Sequence, residues 1–390
     1  MQMSVRKREW VNPRGEAREA WVVDYVDGSG QRRNKNFRRK RDADAYANRV
    51  GAEVRAGTHT PDSTSLTIAE AGQLWLQSSE NLGLERTTLD FYRQHLEFHI
   101  VPLIGNTKLS QLTVPLVRAF EDKLRIDRSP AMVRKVVGSL SAVLSDAQER
   151  GLVAQNVVRG LRVRRRRGRE RRADKRQKGK LKVGVDIPTP DEIRRWIPYL
   201  DGQWRPLFLT AIFTGLRSSE LRGLRWADVD IRRSELHVRQ RIDKFNKVGA
   251  LKSETSERVV PLPPMLLKVL REWKLACPKG ALDLVFPNGA GKPESHANIV
   301  QRGLQPSIIA ARLTKKDGTA KYTGLHALRH FFASWCINRR VDDGQELPLK
   351  VVQARMGHST IAMTADVYGH LFPRGDDSAE LAAAEKSFLT

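Results

Sequence analysis

The sequence predicts a multidomain, mainly α-helical protein with a small three-stranded β-sheet near its N-terminal end. Three observations support this fold class. The 390 residues are enough for two or three domains that each bury a core. Residues 1–60 combine β-forming segments with a turn sequence, whereas helix caps and helical spacing dominate from residue 61 onward. An arginine-rich stretch at residues 162–182 interrupts the helical pattern and divides the chain.

Residues 1–60 are predicted to form a small β domain. The segment Trp21–Val26 is rich in β formers, Asp27–Gly30 has turn composition, and a basic strand resumes from Arg32 to Arg39. Val5–Val11 is expected to add the third strand. Since Arg and Lys stud this sheet, it is expected either to insert into a DNA groove or to present a solvated charged face.

A helix is predicted to close this β domain. Asp42 has the residue type of a helix N-cap, and Gly57 has that of a helix stop. Helical spacing places four small or branched apolar residues on one face: Ala43, Ala47, Val50 and Val54.

Residues 61–160 are predicted to form a compact bundle of four helices. Thr67 and Glu70 have the spacing of a capping box at the start of the first helix. This helix is expected to bury Leu74, Trp75 and Leu76. The other three helical stretches are Thr87–Ile100, Val114–Ile126 and Ser129–Gly151, the last opened by a Ser-Pro cap.

Residues 161–184 are predicted to be a linker, because the arginines and lysines within them cannot bury a core. Such a segment can be a solvated hinge, and it can also lie along DNA phosphates. A nuclear localisation sequence is a weaker third interpretation, since short basic runs are nonspecific.

Residues 185–390 are predicted to form a mostly helical domain with one β-hairpin. A capping box at Thr189–Glu192 opens a helix that extends to Leu200, and a second helical run, Leu207–Phe213, stops at Gly215. The hairpin strands, the lysine between them and the C-terminal helix are predicted as Glu235–Arg241, Arg258–Leu262, Lys252 and Ser378–Phe388.

Charge and cysteine content restrict the partners and the compartment. The 69 Lys+Arg exceed the 44 Asp+Glu by 25, which favours binding to a polyanion such as DNA or RNA. A merely soluble basic protein and binding to an anionic membrane surface are the alternatives. Cys277 and Cys336 form no paired motif, as is typical of a reducing cytoplasm. No apolar run approaches the ~20 residues of a membrane span, and the N-terminus does not resemble a secretory signal.

The domain after the linker contains the side chains that grip a phosphodiester. Arg217 follows Gly215, where a helix is expected to restart at Ser218 and to add backbone N–H donors. His326 and Arg329 are three residues apart and therefore share one helical face. Arginine suits this task because its planar fork donates two parallel hydrogen bonds to phosphate and keeps its charge.

The same domain contains a candidate nucleophile and candidate proton carriers. The Tyr368 hydroxyl can attack phosphorus, but its ordinary pKa of about 10 means that it needs a base. His326 is the expected base, with His358 as the alternative or as a donor to the phosphate. Lys252 can return a proton to the leaving deoxyribose oxygen. No Asp/Glu cluster with metal-binding spacing accompanies these residues, so neither a metal nor another cofactor is expected.

Each of these residues alone has a simpler structural interpretation. Arg217 can pair with Glu220 at i,i+3 spacing, Lys252 can be an exposed turn lysine, and Tyr368 can bury its ring in an amphipathic helix. A single histidine is more often packed or solvent-facing than catalytic. Only minor roles are expected for His330 and His370. The presence of all these residues in one domain is what favours a catalytic site.

These motifs resemble those of the tyrosine recombinases, in particular phage-type and mobile-element integrases. The matching segments are Thr214-Gly-Leu-Arg217-x-x-Glu220-Leu, Lys252-Ser-Glu-Thr-Ser-Glu-Arg258, His326-x-Leu-Arg329-His330, Gly357-His358-Ser359 and Tyr368-Gly-His-Leu. The resemblance spans nearly the whole chain. It implies an arm-type DNA-binding domain at 1–60, a SAM-like helical core-binding domain at 65–160 and the tyrosine recombinase catalytic fold at 185–390. The linker at 161–184 is longer and more basic than the family pattern leads us to expect.

The resemblance also implies roles for the site residues. Tyr368 is expected to be the nucleophile and to form a 3′-phosphotyrosyl link, while Arg217 and Arg329 clamp the scissile phosphate. Glu220 is expected to brace the arginine site from behind.

Three further roles concern proton transfer and phosphate contact. Lys252 is expected to be the general acid for the 5′-hydroxyl, His326 to act in acid/base transfer, and His358 to contact the phosphate. The chemistry is then metal-free and covalent.

The resemblance further implies partners and a place in the cell. The expected partner is double-stranded DNA at attachment sites, bound by a homotetramer that integrates or excises a prophage or other mobile element. A directionality factor and a host DNA-bending protein are additional expected partners, no membrane is involved, and the protein is expected in the bacterial cytoplasm at the nucleoid. A type IB topoisomerase and a catalytically silent DNA-binding protein are the alternatives.

Overall fold

The computed structural model describes residues 3–27, 30–55, 59, 61–161, 180–251, 254–372 and 378–389. These residues belong to two compact units, 1–165 and 166–390. Helices predominate and the sheets are small, which confirms the mainly α-helical fold class. Within the described ranges, no helix is long and apolar enough to cross a lipid bilayer.

An antiparallel three-stranded sheet begins the first unit, as predicted from its β-forming segments. The strands are Ser4–Val11, Ala17–Val26 and Arg32–Phe37, in that order across the sheet. The register places Val5 opposite Val23, and Val23 is fully buried. Two of the predicted turn residues, Gly28 and Ser29, lie outside the described residues.

The helix Lys40–Arg55 packs its apolar face on this sheet. The four residues that the sequence predicts are buried, namely Ala43, Ala47, Val50 and Val54, and Tyr46 is buried with them. The prediction that Asp42 caps the helix is wrong, because the helix begins at Lys40. Asp42 lies in the first turn instead, where a carboxylate interacts favourably with the helix dipole. The predicted stop at Gly57 lies outside the described residues.

Helices with a common core fill residues 61–161, as predicted. The main ones are Ile68–Asn81, Arg86–His95, Val114–Asp127 and Pro130–Glu149. The second continues through a π-helical turn at Leu96–Ile100 and a last turn at Val101–Ile104. Phe120 and Leu140 lie at the centre of the core and are almost fully buried.

The start of the first of these helices has the predicted capping box. The Glu70 N–H donates to the Thr67 hydroxyl at 3.2 Å, and the Thr67 N–H donates to the Glu70 carboxylate at 2.7 Å. Trp75 and Leu76 are buried as predicted, whereas Leu74 is only half-buried. Leu74 lies about 100° around the helix axis from the neighbouring Trp75 and away from the centre of the apolar face.

The second unit is a helical domain around small sheets. Its helices are Pro190–Trp196, Trp204–Thr214, Ser218–Gly223, Pro264–Ala276, His296–Asn298, Gln305–Ala310, His326–Ile337, Leu349–Met356, Ile361–Tyr368 and Ser378–Leu389, with a π-helical turn at Ile299–Leu304. The predicted capping box at Thr189 and Glu192 is present. Phe208 and Leu209 from the helix Trp204–Thr214 lie in the main core, together with Leu266.

The strands of the second unit differ in one respect from the predicted hairpin. Val229–Asp230, Glu235–Val238 and Arg258–Pro261 form one antiparallel sheet, and a separate ribbon pairs Arg241–Ile242 with Val248–Gly249. The single predicted strand Glu235–Arg241 is therefore wrong. Residues 239 and 240 interrupt it, and there the Gln240 side chain donates to the Gly223 carbonyl at 2.8 Å instead of continuing the strand pairing.

Two predicted features fall largely or wholly outside the described residues. Lys252 is not among the described residues. Of the basic linker, residues 162–179 are not described.

Candidate active site

Arg217 occupies the junction between two helices. The helix Trp204–Thr214 ends at Gly215, whose φ of +60° is left-handed. A Cβ at Gly215 would stand 2.3 Å from the Phe332 ring, so glycine is required there for space as well as for conformation. Arg217 then serves as the N-cap residue of the helix Ser218–Gly223, and the predicted restart at Ser218 is confirmed.

The Arg217 side chain is held from two sides while part of it stays accessible. Nη1 donates to Glu220 Oε1 at 2.7 Å, and Nη2 donates to the Gly357 carbonyl at 2.9 Å. The i,i+3 ion pair with Glu220 is therefore present. Since the side chain retains 31% exposure, the pairing also aims the guanidinium toward solvent, where an anion can reach it.

Glu220 joins a second arginine that sequence reasoning left without a role. The Arg258 Nη2 donates to Glu220 Oε2 at 2.8 Å, and Arg258 also bonds the carbonyls of Ser256 and Arg355. Burial opposes the charge on Glu220, but Arg258 and then Arg217 outweigh it and lower the pKa of the carboxyl to about 2. Arg258 closes the Lys252 motif in the sequence, but its contact with Glu220 depends on packing that the sequence does not show.

Arg329 is the most deeply buried cation of this group. It lies on the helix His326–Ile337 with 3% exposure, and it donates to the Gly215 carbonyl at 2.6 Å and the Met356 carbonyl at 2.5 Å. Burial, followed by the charges of Arg217 and Arg258, lowers its pKa to about 9. The group remains charged near neutral pH, and both of these bonds are to neutral acceptors.

The charges at this point of the fold do not cancel. Arg217, Arg258 and Arg329 supply three positive charges, and Glu220 supplies one negative charge, which leaves two in excess. Unpaired charge in a partly desolvated place is unfavourable unless an anion joins it. Such a cluster can therefore accept an anion.

His358 lies beside this cluster at the end of the helix Leu349–Met356. The helix ends at Gly357 with φ of +60°, and a Cβ there would be 2.9 Å from Arg258 Nη1. The His358 Nδ1 is 2.9 Å from the Thr364 hydroxyl, and burial, with the nearby arginines, lowers the pKa of the ring to about 4. This bond leaves Nε2 as the nitrogen that can face a ligand.

Tyr368 is buried at the end of the helix Ile361–Tyr368, as its amphipathic interpretation predicts. Only 2% of the residue is exposed, and its ring stacks parallel to His358 at a centroid distance of 6.1 Å. Burial raises the pKa of the hydroxyl to about 12, against the opposing charges of Arg329 and Arg217. The hydroxyl therefore keeps its proton at neutral pH and needs an acceptor.

His330 provides the contact to that hydroxyl. Its Nδ1 lies 2.7 Å from the Tyr368 oxygen, and its ring meets the His326 ring edge to face at 4.5 Å. Burial, then the neighbours His326 and Arg329, lowers the pKa of His330 to about 4, so the ring is neutral near pH 7. Sequence reasoning expected only a minor role for His330, because spacing alone does not show which histidine meets the tyrosine.

His326 is the most exposed of the three histidines at the site. It starts the helix His326–Ile337, and desolvation of the ring, with Arg329 and Arg217 nearby, lowers its pKa. His370, by contrast, bonds the Leu181 carbonyl at 2.7 Å and so serves the packing of the chain. In the part of the chain that the structure describes, no group of three or more His, Cys, Asp or Glu is placed to hold a metal ion.

The arrangement matches a known family of domains. Residues 189–374 match the model of the phage integrase family. A XerC-like tyrosine recombinase of Caldanaerobacter subterraneus subsp. tengcongensis is 25% identical over 96% of this chain and 97% of that protein. The integrase of Mycobacterium phage D29 is likewise 25% identical, over 93% of each.

Solved structures with the same fold include integrases bound to DNA. The Tn1549 transposon integrase in complex with a circular intermediate DNA has a TM-score of 0.61 at 18% identity, over 84% of this chain and all of that one. A lambda integrase tetramer bound to a Holliday junction has a TM-score of 0.55 at 17% identity, over 90% of this chain and 95% of that one. At 17–18% sequence identity, these similarities show that the fold is shared and nothing beyond the fold.

Proposed function

We propose that the chain, whose residues 189–374 match the phage integrase family, is a tyrosine recombinase that cleaves and rejoins DNA at specific sites through a 3′-phosphotyrosyl link at Tyr368. The observation that supports this most strongly is the uncompensated arginine cluster placed beside a buried tyrosine. A DNA phosphodiester carries one negative charge and so offsets part of this excess of two positive charges.

The scissile phosphate binds to the guanidinium groups of Arg217 and Arg329. Arg217 is aimed by Glu220 and Gly357, and Arg329 is aimed by two backbone carbonyls. Preorganised donors of this kind stabilise the charge that develops on the nonbridging oxygens during transfer. The free Nε2 of His358 adds a third contact to the same phosphate.

The Tyr368 oxygen attacks phosphorus, and the P–O bond to the 5′-oxygen breaks. The phenol proton passes to His330, whose Nδ1 already lies against it, with His326 next in line. Lys252 donates a proton to the leaving 5′-oxygen. In the reverse step the 5′-hydroxyl of a partner strand attacks the phosphotyrosine, so the bond energy is conserved.

The remaining parts of the chain serve DNA binding and assembly. We assign the basic sheet and helix at 1–60 to arm-type sites, the helices at 65–160 to the core site, 161–184 to a linker and 185–390 to catalysis. Strand exchange takes place in a tetramer on two duplexes. The C-terminal helix supports this assembly, because Leu381, Phe388 and Leu389 are exposed on it and suit a neighbouring subunit.

Trapping of the covalent adduct tests the proposal. A duplex built from the direct repeats that flank the gene, nicked beside the cleavage point, loses its short 5′-hydroxyl fragment and leaves the protein attached. Wild type is expected to give a denaturant-resistant adduct and Tyr368→Phe none. An equal adduct from Tyr368→Phe would show that the nucleophile lies elsewhere. If the protein relaxes a supercoiled plasmid without the repeats as fast as one that contains them, the result would favour a topoisomerase.

A further inference from the structure

The three-stranded sheet of the first unit has two faces of different chemistry. Side chains alternate between the faces of a strand, so residues two apart share a face. Val23 and Tyr25 of the central strand, Ala17–Val26, lie in the core that the sheet forms with the helix Lys40–Arg55. The even-numbered residues of this strand therefore point away from that helix, onto a second surface that we call the outer face.

The strand register sets the residues of the outer face in rows across the sheet. One row is Arg6, Val22 and Asn36, and the next is Ser4, Asp24 and Asn34. The first strand thus contributes a long cationic side chain to the outer face, and the third strand contributes two short amides.

The two asparagines are unusual residues for a strand. Asparagine is depleted in strands, because its side chain competes for local backbone hydrogen bonds. Asn34 and Asn36 nevertheless stand two apart in a strand of only six residues, and both are exposed. Within the described residues, no hydrogen bond to another protein group holds either amide. A ligand that bonds these amides would account for two residues that weaken the strand.

The outer face also has an excess of positive charge. Arg6, Arg8 and Arg32 are exposed on it, while Asp24 is the one carboxylate that the paired strands place there. The Arg6 Nε bonds Asp24 at 2.9 Å, and 67% of the Arg6 side chain stays exposed. Such a surface attracts the phosphates of a nucleic acid.

The width of the sheet selects the groove that it fits. Strands about 4.8 Å apart make a three-stranded surface about 10 Å wide. This matches the major groove of B-DNA, about 12 Å wide, and is too wide for the minor groove of about 6 Å. In the major groove adenine presents an acceptor and a donor side by side, which one amide can bond together. A phosphate offers acceptors alone, so an amide suits a base better.

We propose that the outer face enters the major groove of duplex DNA, where Asn34 and Asn36 determine specificity by each bonding an adenine. Arg6 and Arg8 contact phosphates beside the groove. The inference rests on the proposed function, because it takes duplex DNA as the ligand of residues 1–60. Residues two apart in a strand are separated by about 7 Å, so the two adenines lie within about two base pairs of each other.

Selection of duplexes from a random pool tests this role in the full-length protein. Wild type is expected to enrich a motif that contains two adenines within about two base pairs. Asn34→Ala should lose the preference at one of these positions and Asn36→Ala at the other, each by about 10-fold or more. The remaining positions of the motif should be unchanged, whereas a merely structural effect would weaken all of them alike.

Two neighbours on the first strand provide a matched test of the face. Arg8 lies on the outer face, whereas Lys7 pairs with Trp21 on the other and bonds Glu19 at 2.7 Å. Arg8→Gln is expected to weaken binding to the enriched duplex by about 3- to 10-fold and to lower the salt slope by about one. Lys7→Gln should bind within about twofold of wild type. Fluorescence anisotropy measures both.

Two results would overturn the inference. If wild type and both asparagine variants enrich the same motifs, the outer face reads no bases. If Lys7→Gln and Arg8→Gln weaken binding equally, the contact has no preferred face.

The covalent adduct on the nicked duplex tests the premise separately. Both asparagine variants retain Tyr368 and should form that adduct. Absence of the adduct from wild type would reject the proposed cleavage, while the enriched motifs would still decide whether Asn34 and Asn36 read adenines.

Discussion

Glu220 shows how one buried carboxylate organises two arginine side chains. It accepts hydrogen bonds from Arg217 and Arg258 and is 2% exposed, yet it stays ionised because two guanidinium groups face it. The pair of bonds leaves Arg217 free to turn its remaining donors outward. The expected bracing role of Glu220 therefore has a concrete geometry, although its effect on catalysis stays a prediction.

Glu220→Gln is expected to make the free energy of unfolding depend less on pH in the acid range. The pKa of this carboxyl is about 2 in the folded protein against 4.5 ordinarily, so its stabilising effect is complete above pH 4.5 and is lost as the pH falls toward 2. Urea unfolding should show that wild type is more stable than Glu220→Gln at pH 7. The difference between their free energies of unfolding should be smaller by on the order of 2 kcal/mol at pH 3. An equal difference in the free energy of unfolding at both pH values would contradict the lowered pKa of Glu220 as its cause.

His330→Phe tests the contact to the proposed nucleophile, Tyr368. Loss of the acceptor on the Tyr368 hydroxyl is expected to slow single-turnover cleavage by about 100-fold, while DNA binding in a mobility-shift assay stays unchanged. His370→Phe is the matched control, because His370 bonds the Leu181 carbonyl, and cleavage should stay within about threefold of wild type. Normal cleavage by His330→Phe would assign the base to His326 or His358.

At the scale of elements, the site depends on where helices end. Two helices stop at left-handed glycines, Gly215 and Gly357, and each carbonyl accepts from a clamp arginine. The helix stop at Gly215 is readable from the sequence, since glycine is the usual C-terminal cap. Gly215 leaves space for the Phe332 ring, and Gly357 leaves space for the Arg258 side chain. The sequence does not show these contacts, because they depend on which segments pack together.

Gly357→Ala is expected to impair both stability and cleavage. The substitution adds a strained backbone conformation, costing about 1–2 kcal/mol, and also brings Cβ to 2.9 Å from the Arg258 guanidinium. Gly318→Ala is the control, because Gly318 has φ of +77° but nothing within 4 Å of its Cβ. Thermal unfolding should show a larger loss for Gly357→Ala, and only this variant should cleave more slowly. Equal losses would mean that the Arg258 contact is unimportant.

At the scale of the whole molecule, the charge of +25 governs affinity for DNA. Each phosphate that a protein neutralises releases counterions, so affinity falls steeply with salt. Raising the salt from 50 to 200 mM is expected to weaken binding to a duplex of the flanking repeats by about 10³-fold or more. Fluorescence anisotropy measures this, and a change below about 10-fold would mean that few of the basic residues touch phosphates.

Residue types and their order along the chain were sufficient to predict the fold class, the helix caps at Thr67 and Thr189, and the presence of Arg217, Arg329 and Tyr368 in one domain. These features depend on local periodicity and on chemistry that each side chain carries with it. The tertiary structure alone decided that His330 meets the Tyr368 hydroxyl and that Arg258 completes the Glu220 site. Such contacts join segments far apart in the chain, and their partners are selected by packing of buried surfaces rather than by spacing.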